Sequence, residues 1–474
     1  MEAGWKTLSK TELPGYKSNQ HEINVLARNR KVFEPVSTGL QYSHFYFFDS
    51  TASASEFRFV DVFYYDSREN DSYRSPEYRL YYPASLDSEM ERVQPGDMVT
   101  FIRNLDRSLL VVISPQGSRL TNEIQNSLSL PGGLFKSMVP QPLSQYLGLK
   151  TTYGIWNLKG FASLGTEQLG SKARRWFAPQ QSRYFQFLYK EIRKNTGDVW
   201  IEKVCSELAH LISIPVAGTQ MARYDDENCV LSERFVFPQG FPDASRRKGQ
   251  RKRKFEQVIS TSLIHGNEIL HRFDPRYELG KTFGHSSHRL DTILTAVQHL
   301  TNSRELSLQL LRLFLFDCWI GNTDRHHENW GLIRNNLYSD EESFAITPAY
   351  DHGAALCSSL LPEAKQSLLT KGNIEKYYRK GASALYGSGK KTLKFTELAD
   401  LCFQKERELT GSIRACAALV DQINNVDSSA ILGILDKIPG QLMNEPDKEF
   451  TIGYLLVSAR VLNEIKRTHS DLEG

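Results

Sequence analysis

Aromatic and β-branched residues recur in short runs through the first quarter of the chain: Phe45–Phe48, Phe57–Tyr65, Tyr78–Tyr82, Met98–Arg103 and Leu109–Ile113. Clusters of Gly, Pro, Asp and Ser separate them, and that pattern predicts strands. Pro95-Gly96-Asp97 marks a tight turn ahead of one strand. Residues 1–126 are therefore expected to form a small, mostly β domain. Over 127–150 the composition shifts to Ser, Pro, Gly and Gln with few charges. That stretch reads as a linker or wrapping segment, too long for a loop inside a compact domain. Residues 151–236 return to strands, interrupted by one helix at Val199–Ile212. From about Leu290 helices dominate. Arg304–Trp319 is apolar nearly all round and predicts a buried helix.

At 474 residues the chain has room for two or three domains, and 40% hydrophobic with 24% charged residues is ordinary for a soluble protein. No stretch approaches the roughly 20 apolar residues that cross a bilayer. Met1–Tyr16 lacks the basic-then-apolar order of a signal peptide, so a cytoplasmic location is expected. The six cysteines are scattered without a close pair, which points to reduced core thiols rather than a disulfide frame or zinc site. Net charge is +3. Residues 1–130 hold 14 Lys/Arg against 17 Asp/Glu, and seven basic residues fall in one run, Arg246–Lys254. Bulk charge alone does not announce a nucleic-acid binder. The run reads as a solvated loop, a contact for nucleic-acid backbone or a dock for an acidic substrate.

The densest chemistry lies in Gly321-Asn322-Thr323-Asp324-Arg325-His326-His327-Glu328-Asn329-Trp330, after the buried helix and before a short strand at Gly331–Arg334. About twenty residues on comes Thr347-Pro348-Ala349-Tyr350-Asp351-His352-Gly353. Phosphoryl transfer needs a carboxylate to orient or deprotonate the attacking hydroxyl, and oxygen ligands for Mg²⁺ on the nucleotide phosphates. Asp324, Asn329 and Asp351 supply those parts in kinase order. A rival reading makes His326, His327 and Glu328 a metal site, but adjacent residues rarely point the same way and no further ligand has suitable spacing.

Upstream, the alternating strand Phe185–Lys190 ends in a lysine, and a helix carrying Glu202 and Glu207 begins about ten residues later. A strand lysine held by a helix glutamate can place its ammonium over nucleotide phosphates. Leu164–Lys172, with Gly165, Gly170, Ser171 and Lys172, precedes that strand as a weak candidate phosphate loop. Ser232-Glu233-Arg234-Phe235 closes the strand-rich part, where a kinase hinge meets adenine.

Residues 160–356 resemble the HipA-like serine/threonine kinases, the toxin-kinase group of bacteria. The matching pieces are Gly170-Ser171-Lys172 with Trp176-Phe177, Leu188-Tyr189-Lys190, Trp200-Ile201-Glu202, Ser232–Phe235, Leu263–Glu268, Gly321–Asn329 and Tyr350–Gly353. The resemblance implies Asp324 as catalytic base, Asn329 and Asp351 as Mg²⁺ ligands, Lys190 on the ATP phosphates and Glu202 as its partner. It also implies adenine near Glu233–Phe235, and self-silencing by phosphorylation within 163–172, which holds Ser163, Thr166 and Ser171. Two departures concern partners rather than chemistry: the extra N-terminal subdomain of toxin-length members is not recognisable, and Arg246–Lys254 looks like an insertion.

The N-terminal domain resembles the B3-like DNA-recognition pseudobarrel of some type II restriction endonucleases, through Lys17-Ser18-Asn19-Gln20-His21-Glu22, Arg74–Tyr82 and Pro95-Gly96-Asp97. In such a domain Lys17, Asn19, Gln20, His21, Arg74 and Arg79 would reach base edges and phosphates of duplex DNA. Its slight acidity counts against strong non-specific affinity, and a barrel for protein contacts is the alternative.

The expected fold class is α+β. A mostly-β pseudobarrel (1–126) and a linker (127–150) precede a two-lobed kinase-like domain with a β-rich small lobe (151–236) and a helical large lobe (237–474). The expected activity is ATP- and Mg²⁺-dependent phosphorylation of a protein substrate, responsive to DNA, in bacterial defence or toxin-type growth control. A lipid or small-molecule kinase is the rival enzyme, disfavoured by the lack of an amphipathic basic helix. A DNA-binding regulator with an inactive kinase fold is the non-enzyme rival, disfavoured by the joint presence of Lys190, Asp324, Asn329 and Asp351.

Overall fold

A computed structural model describes every residue except 1, 17–20, 34–38, 49–53, 69–72, 105–107, 128–151, 168–173, 180–184, 194–195, 237–240, 243–257, 282–283, 337–342 and 472–474. The basic run Arg246–Lys254 and all of the expected linker but Ser127 lie outside the described residues.

The aromatic runs do become strands. β1 (Glu2–Thr7), β2 (Glu22–Asn24), β3 (Gly39–Phe48), β4 (Ala54–Asp66), β5 (Tyr78–Tyr81), β6 (Met98–Arg103) and β7 (Leu109–Ser114) form one sheet in the order β1-β6-β7-β3-β4-β5-β2. Its pairs are antiparallel apart from β3 with β7. Every residue of β6 and β7 is buried, because successive side chains serve different cores. Val99, Phe101, Leu109, Val111 and Ile113 join Phe33, Phe45 and Tyr64 on one face. Met98, Ile102, Leu110 and Val112 meet Leu120 and Ile124 on the other. Those last two residues belong to a helix, Arg119–Ser127, that the strand-rich reading of this region left out. Its apolar side is little more than one i, i+4 pair, and Ser118 Oγ receives the Thr121 N–H at its start. Pro95-Gly96-Asp97 forms the expected turn, with Gly96 at φ +100°.

A second sheet of six strands follows: β8 (Ile155–Asn157), β9 (Phe161–Glu167), β10 (Arg174–Pro179), β11 (Phe187–Glu191), β12 (Thr219–Tyr224) and β13 (Glu227–Glu233), in the order β8-β12-β13-β11-β10-β9. Met221 and Val230 on one face share a core with Val204, Cys205 and Leu208 of the helix Asp198–Leu211. The other face buries Phe177, Phe187, Tyr189, Cys229 and Leu231 in a small core of its own.

β14 (Phe241–Pro242), β15 (Val258–His265), β16 (Gly331–Asn336) and β17 (Ser343–Ile346) make a four-stranded sheet, and β18 (Ala382–Tyr386) pairs with β19 (Thr392–Lys394). Helices supply the remaining bulk. The expected buried helix runs from Arg304 to Ile320, and Leu313–Ile320 is buried on all sides. Ser303 caps its start by accepting the Leu306 N–H. Gly321 ends it at φ +64°, where a Cβ would lie 2.0 Å from the Tyr454 hydroxyl oxygen, so only glycine fits. Tyr454 belongs to the long helix Glu445–Ser470. The Trp319 indole donates to the Leu455 carbonyl (3.1 Å), and the Ser458 hydroxyl donates to the Trp319 carbonyl (2.8 Å). Among the described residues no helix is long and apolar enough to cross a membrane.

Candidate active site

The site is assembled on a charged pair buried among apolar residues. Asp317, on the last turn of Arg304–Ile320, is 1% exposed, and Arg325 in the following loop is 0% exposed. Their bond is bidentate: Arg325 Nε donates to Asp317 Oδ2 and Nη2 to Oδ1, both at 2.7 Å. Asn322 also donates its side-chain amide to Asp317 Oδ1 (3.0 Å). From this anchor Arg325 Nη1 reaches the carbonyls of Asn329 (2.8 Å) and Tyr350. One guanidinium thus fixes the helix end, the Asp324–Asn329 loop and the residue before Asp351.

Within that frame Asp324 takes its backbone position from Asn322, whose Oδ1 accepts the Asp324 N–H (3.1 Å). Asn329 donates its amide nitrogen to the Asp324 carbonyl (2.8 Å), which leaves its side-chain oxygen as the atom suited to a cation. Burial raises the Asp324 carboxyl to about 6, the neighbouring Asp351 charge adds to the rise, and Arg193 and Arg325 oppose it. Asp351 sits at φ +60°, a left-handed conformation costly for a residue with a side chain and one that clusters at functional sites.

Lys190, on β11, completes the group. Its Nζ lies 3.3 Å from Glu202 Oε1 and 3.2 Å from Asp351 Oδ1. Glu202 Oε2 in turn accepts the His352 N–H at 3.0 Å, so the Asp198–Leu211 helix touches both the strand lysine and the Asp351 loop. Of the two glutamates offered by the sequence, Glu207 pairs instead with Lys203 one turn earlier, at 2.8 Å. Backbone bonds also tie the two halves: Ala217 N–H to Ala349 O (2.9 Å) and Ala349 N–H to Pro215 O (2.8 Å). At the end of β13, the Glu233 N–H bonds the Gly218 carbonyl, and the Phe235 ring lies 5.4 Å from that of Tyr350. Gly170, Ser171 and Lys172 lie outside the described residues.

His326 and His327 turn apart, with their ring planes at 83°. His327 Nδ1 and the Tyr277 hydroxyl share a hydrogen bond of 2.7 Å, and burial holds this imidazole neutral, with its pKa lowered to about 4. Among the described residues no group of three His, Cys, Asp or Glu side chains is placed to hold a metal ion. The oxygen donors that these two loops could offer a hard cation are the Asp351 carboxylate and the Asn329 amide oxygen.

The sequence profile of the HipA-like C-terminal domain family matches residues 162–425, more than half of the chain. The chain belongs to the HipA-like family. The serine/threonine-protein kinase CtkA of Helicobacter pylori is 27% identical over 165 residues, 34% of this chain and 47% of CtkA. The aligned stretch therefore spans about half of that relative. The crystal structure of the proinflammatory kinase CtkA covers 67% of this HipA-like chain and 99% of its own, at 18% identity and a TM-score of 0.50, a likeness of fold. HipA of Shewanella oneidensis MR-1, solved with HipB and operator DNA, is 12% identical over 76% of this chain and 77% of its own, with a TM-score of 0.41.

The HipA-like site also contains residues that motif reading passed over. Asp317 and Arg325 carried a signal, since a carboxylate inside an apolar helix must find a partner. Arg193 carried none. It forms a bidentate pair with Asp198 (both bonds 2.9 Å) and donates to the Gly353 carbonyl (2.9 Å) and the Ser358 hydroxyl (3.0 Å).

The DNA-reading candidates are distributed differently. Arg79 is bound to Glu22 and Glu77 across β5, β2 and the preceding turn, and His21 lies 3.1 Å from Asp87. Arg74 is exposed, while Lys17, Asn19 and Gln20 lie outside the described residues.

Proposed function

We propose that this chain is an ATP- and Mg²⁺-dependent serine/threonine protein kinase, with a β-rich small lobe over 151–236 and a helical large lobe over 237–474. The observation that carries the reading is Lys190 held between Glu202 and Asp351, with Asp351 close enough to act on the Asp324 carboxyl. An ammonium fixed by a helix carboxylate is placed to offset phosphate charge. Asp324 then orients the acceptor hydroxyl and takes its proton. With its pKa near 6 it is ionised at neutral pH yet more basic than an ordinary carboxylate. Asp351 and Asn329 are the residues that would hold Mg²⁺, which would supply positive charge to offset that of the phosphates. The backbone near Glu233–Phe235 lies beside adenine, and Gly170, Ser171 and Lys172 line the phosphates. Similarity to a serine/threonine kinase supports protein as the acceptor.

The same proposal makes residues 1–126 a B3-like pseudobarrel that reads duplex DNA, joined through 127–150 to the kinase. Lys17, Asn19, Gln20, His21, Arg74 and Arg79 would carry the DNA contacts, with Arg79 and His21 leaving the carboxylates they now face. A DNA reader joined to a toxin-type kinase supports a role in bacterial defence or growth control. The test is incubation of the whole chain with labelled ATP and Mg²⁺, with and without duplex DNA, beside Asp324→Ala and Asp351→Ala. Phosphate should appear on protein with the wild type alone, and DNA should change its rate. Near-normal labelling by either variant would remove that residue from the chemistry, and no labelling by the wild type would overturn the kinase assignment.

A further inference from the structure

Within Asp351–Cys357 three residues other than glycine are left-handed: Asp351 at φ +60°, Leu356 at +48° and Cys357 at +55°. Each is costly for a residue with a side chain, and such backbone persists only where its surroundings over-determine it. Part of the hold comes from the Arg304–Ile320 helix and the loop after it. The Leu356 N–H bonds the Ile320 carbonyl (2.8 Å), and the Thr323 hydroxyl donates to the Ala354 carbonyl (3.3 Å). The rest comes from the β11 side. There Asp198 and Glu202, one helical turn apart, each fix a cation at the end of that strand. Glu202 takes Lys190 and the His352 N–H. Asp198 takes Arg193 three times: from the backbone N–H (3.1 Å) and from Nε and Nη2 (both 2.9 Å). Aimed in this way, Nη2 also reaches the Gly353 carbonyl (2.9 Å) and the Ser358 hydroxyl oxygen (3.0 Å), 160 and 165 residues along the chain. Gly353 lies against both carboxylates, since a Cβ there would sit 3.6 Å from Glu202 Oε1 and 3.9 Å from Asp198 Cγ.

We infer that Arg193 is a positioning residue for phosphotransfer: its fork, aimed by Asp198, holds the strained Asp351–Ser358 segment and so keeps the Asp351 carboxylate placed for Mg²⁺. With 44% of its side chain exposed, Arg193 adds little as a charge contact alone. What it adds is direction. A planar guanidinium meets one carboxylate with two parallel N–H bonds and still turns Nη2 to a carbonyl, a geometry that an ammonium cannot hold. Groups that orient a metal ligand from behind tune the metal through it, and their loss costs about 10–100-fold in metal affinity or activity. The inference rests on the kinase reading, because it takes Asp351 as a Mg²⁺ ligand.

The experiment compares the full chain with Arg193→Gln, which removes the charge and the fork, and Arg193→Lys, which keeps a cation beside Asp198. Amide hydrogen exchange without nucleotide is read over 351–358, where the His352 and Leu356 N–H groups are bonded. Exchange there should be about tenfold faster in both variants, while the Arg304–Ile320 helix, the gauge of the overall fold, exchanges as in the wild type. A fluorescent ATP analogue is then titrated with and without Mg²⁺. The factor by which Mg²⁺ tightens binding should fall about tenfold in both variants, with the metal-free Kd unchanged. Exchange over 351–358 unchanged in both variants would overturn the inference. So would Arg193→Lys matching the wild type in both readouts, which makes the charge sufficient. A loss confined to the metal-free Kd would make Arg193 a phosphate contact and overturn it as well. Each of these leaves the kinase reading standing. If Mg²⁺ leaves nucleotide binding by the wild type unchanged, or no nucleotide binds, the kinase reading fails and this role of Arg193 fails with it.

Discussion

Arg325→Met should unfold the kinase-like region more readily than its single lost charge suggests. The guanidinium is fully buried and donates to Asp317, Asn329 O and Tyr350 O. Its removal strands the Asp317 carboxylate in an apolar surround, and breaking a buried pair from one side costs about 3–5 kcal/mol. With a urea slope of about 2–3 kcal/mol/M, a loss of about 4 kcal/mol lowers the midpoint by roughly 1.3–2 M. Five of the six tryptophans (156, 176, 200, 319 and 330) lie in the HipA-like region or next to it, so intrinsic fluorescence reports on that part. The double variant Asp317→Leu/Arg325→Met removes both charges and should recover about 2 kcal/mol relative to Arg325→Met. Phosphotransfer should stay lost in the double variant, because the Asn329 and Tyr350 carbonyls are still without their donor. A midpoint shift below about 0.3 M for Arg325→Met, or a double variant no more stable than the single one, would refute the reasoning.

If Asp324 is the base, as proposed, acid should silence phosphotransfer earlier than an ordinary aspartate allows: kcat/KM should fall about tenfold per pH unit below about 6 and level off above it. Arg193→Met removes a charge that lowers the Asp324 pKa, so the acid limb should move to higher pH. For stability the sign is opposite. A carboxyl whose folded pKa lies above its unfolded value favours the folded state at low pH, and that contribution is lost as pH rises through about 6. Phosphopeptide mapping after long incubation with ATP should find phosphate on Ser163, Thr166 or Ser171 together with falling turnover, since a charge of about −1.5 to −2 near Lys190 opposes ATP; unmodified hydroxyls with falling turnover would remove the idea. Arg74→Ala in the full chain should weaken duplex binding by fluorescence anisotropy, with a shallow salt slope of about −0.9 per phosphate contact. Arg79→Ala should instead destabilise the N-terminal sheet by removing the cation beside Glu22, which is 5% exposed and keeps the Tyr65 hydroxyl as a donor.

Elements whose side chains repeat a simple pattern were legible in the sequence. The aromatic runs at 45–48 and 98–103 announced β3 and β6, and the unbroken apolar stretch from Leu313 announced a buried helix. β2 was not legible, because three residues hold too short a pattern to repeat, and its register comes from β5. The polar helix Arg119–Ser127 was missed because two apolar residues suffice where the partner surface is already formed. At the site, spacing brought Asp324, Asn329 and Asp351 to one loop pair, yet it could not choose between Glu202 and Glu207. That choice depends on which helix face meets β11, and the i, i+4 partner Lys203 takes Glu207. Arg193 sits in a run of charges, Glu191 to Lys194, that reads as solvated loop. Its role needs Gly353, 160 residues away, and no local pattern carries that.

The helix Glu445–Ser470 lies beyond the family-matched span 162–425, yet Tyr454, Leu455 and Ser458 close around Gly321 and Trp319, the residues that lead into the loop carrying Asp324. On the ribosome, Asp324 is made more than a hundred residues before that support exists. A nascent chain carrying every motif of the site would still lack the packing that sets the loop. Whatever chemistry Asp324 performs would thus wait for the last helix, its onset timed by the order of translation.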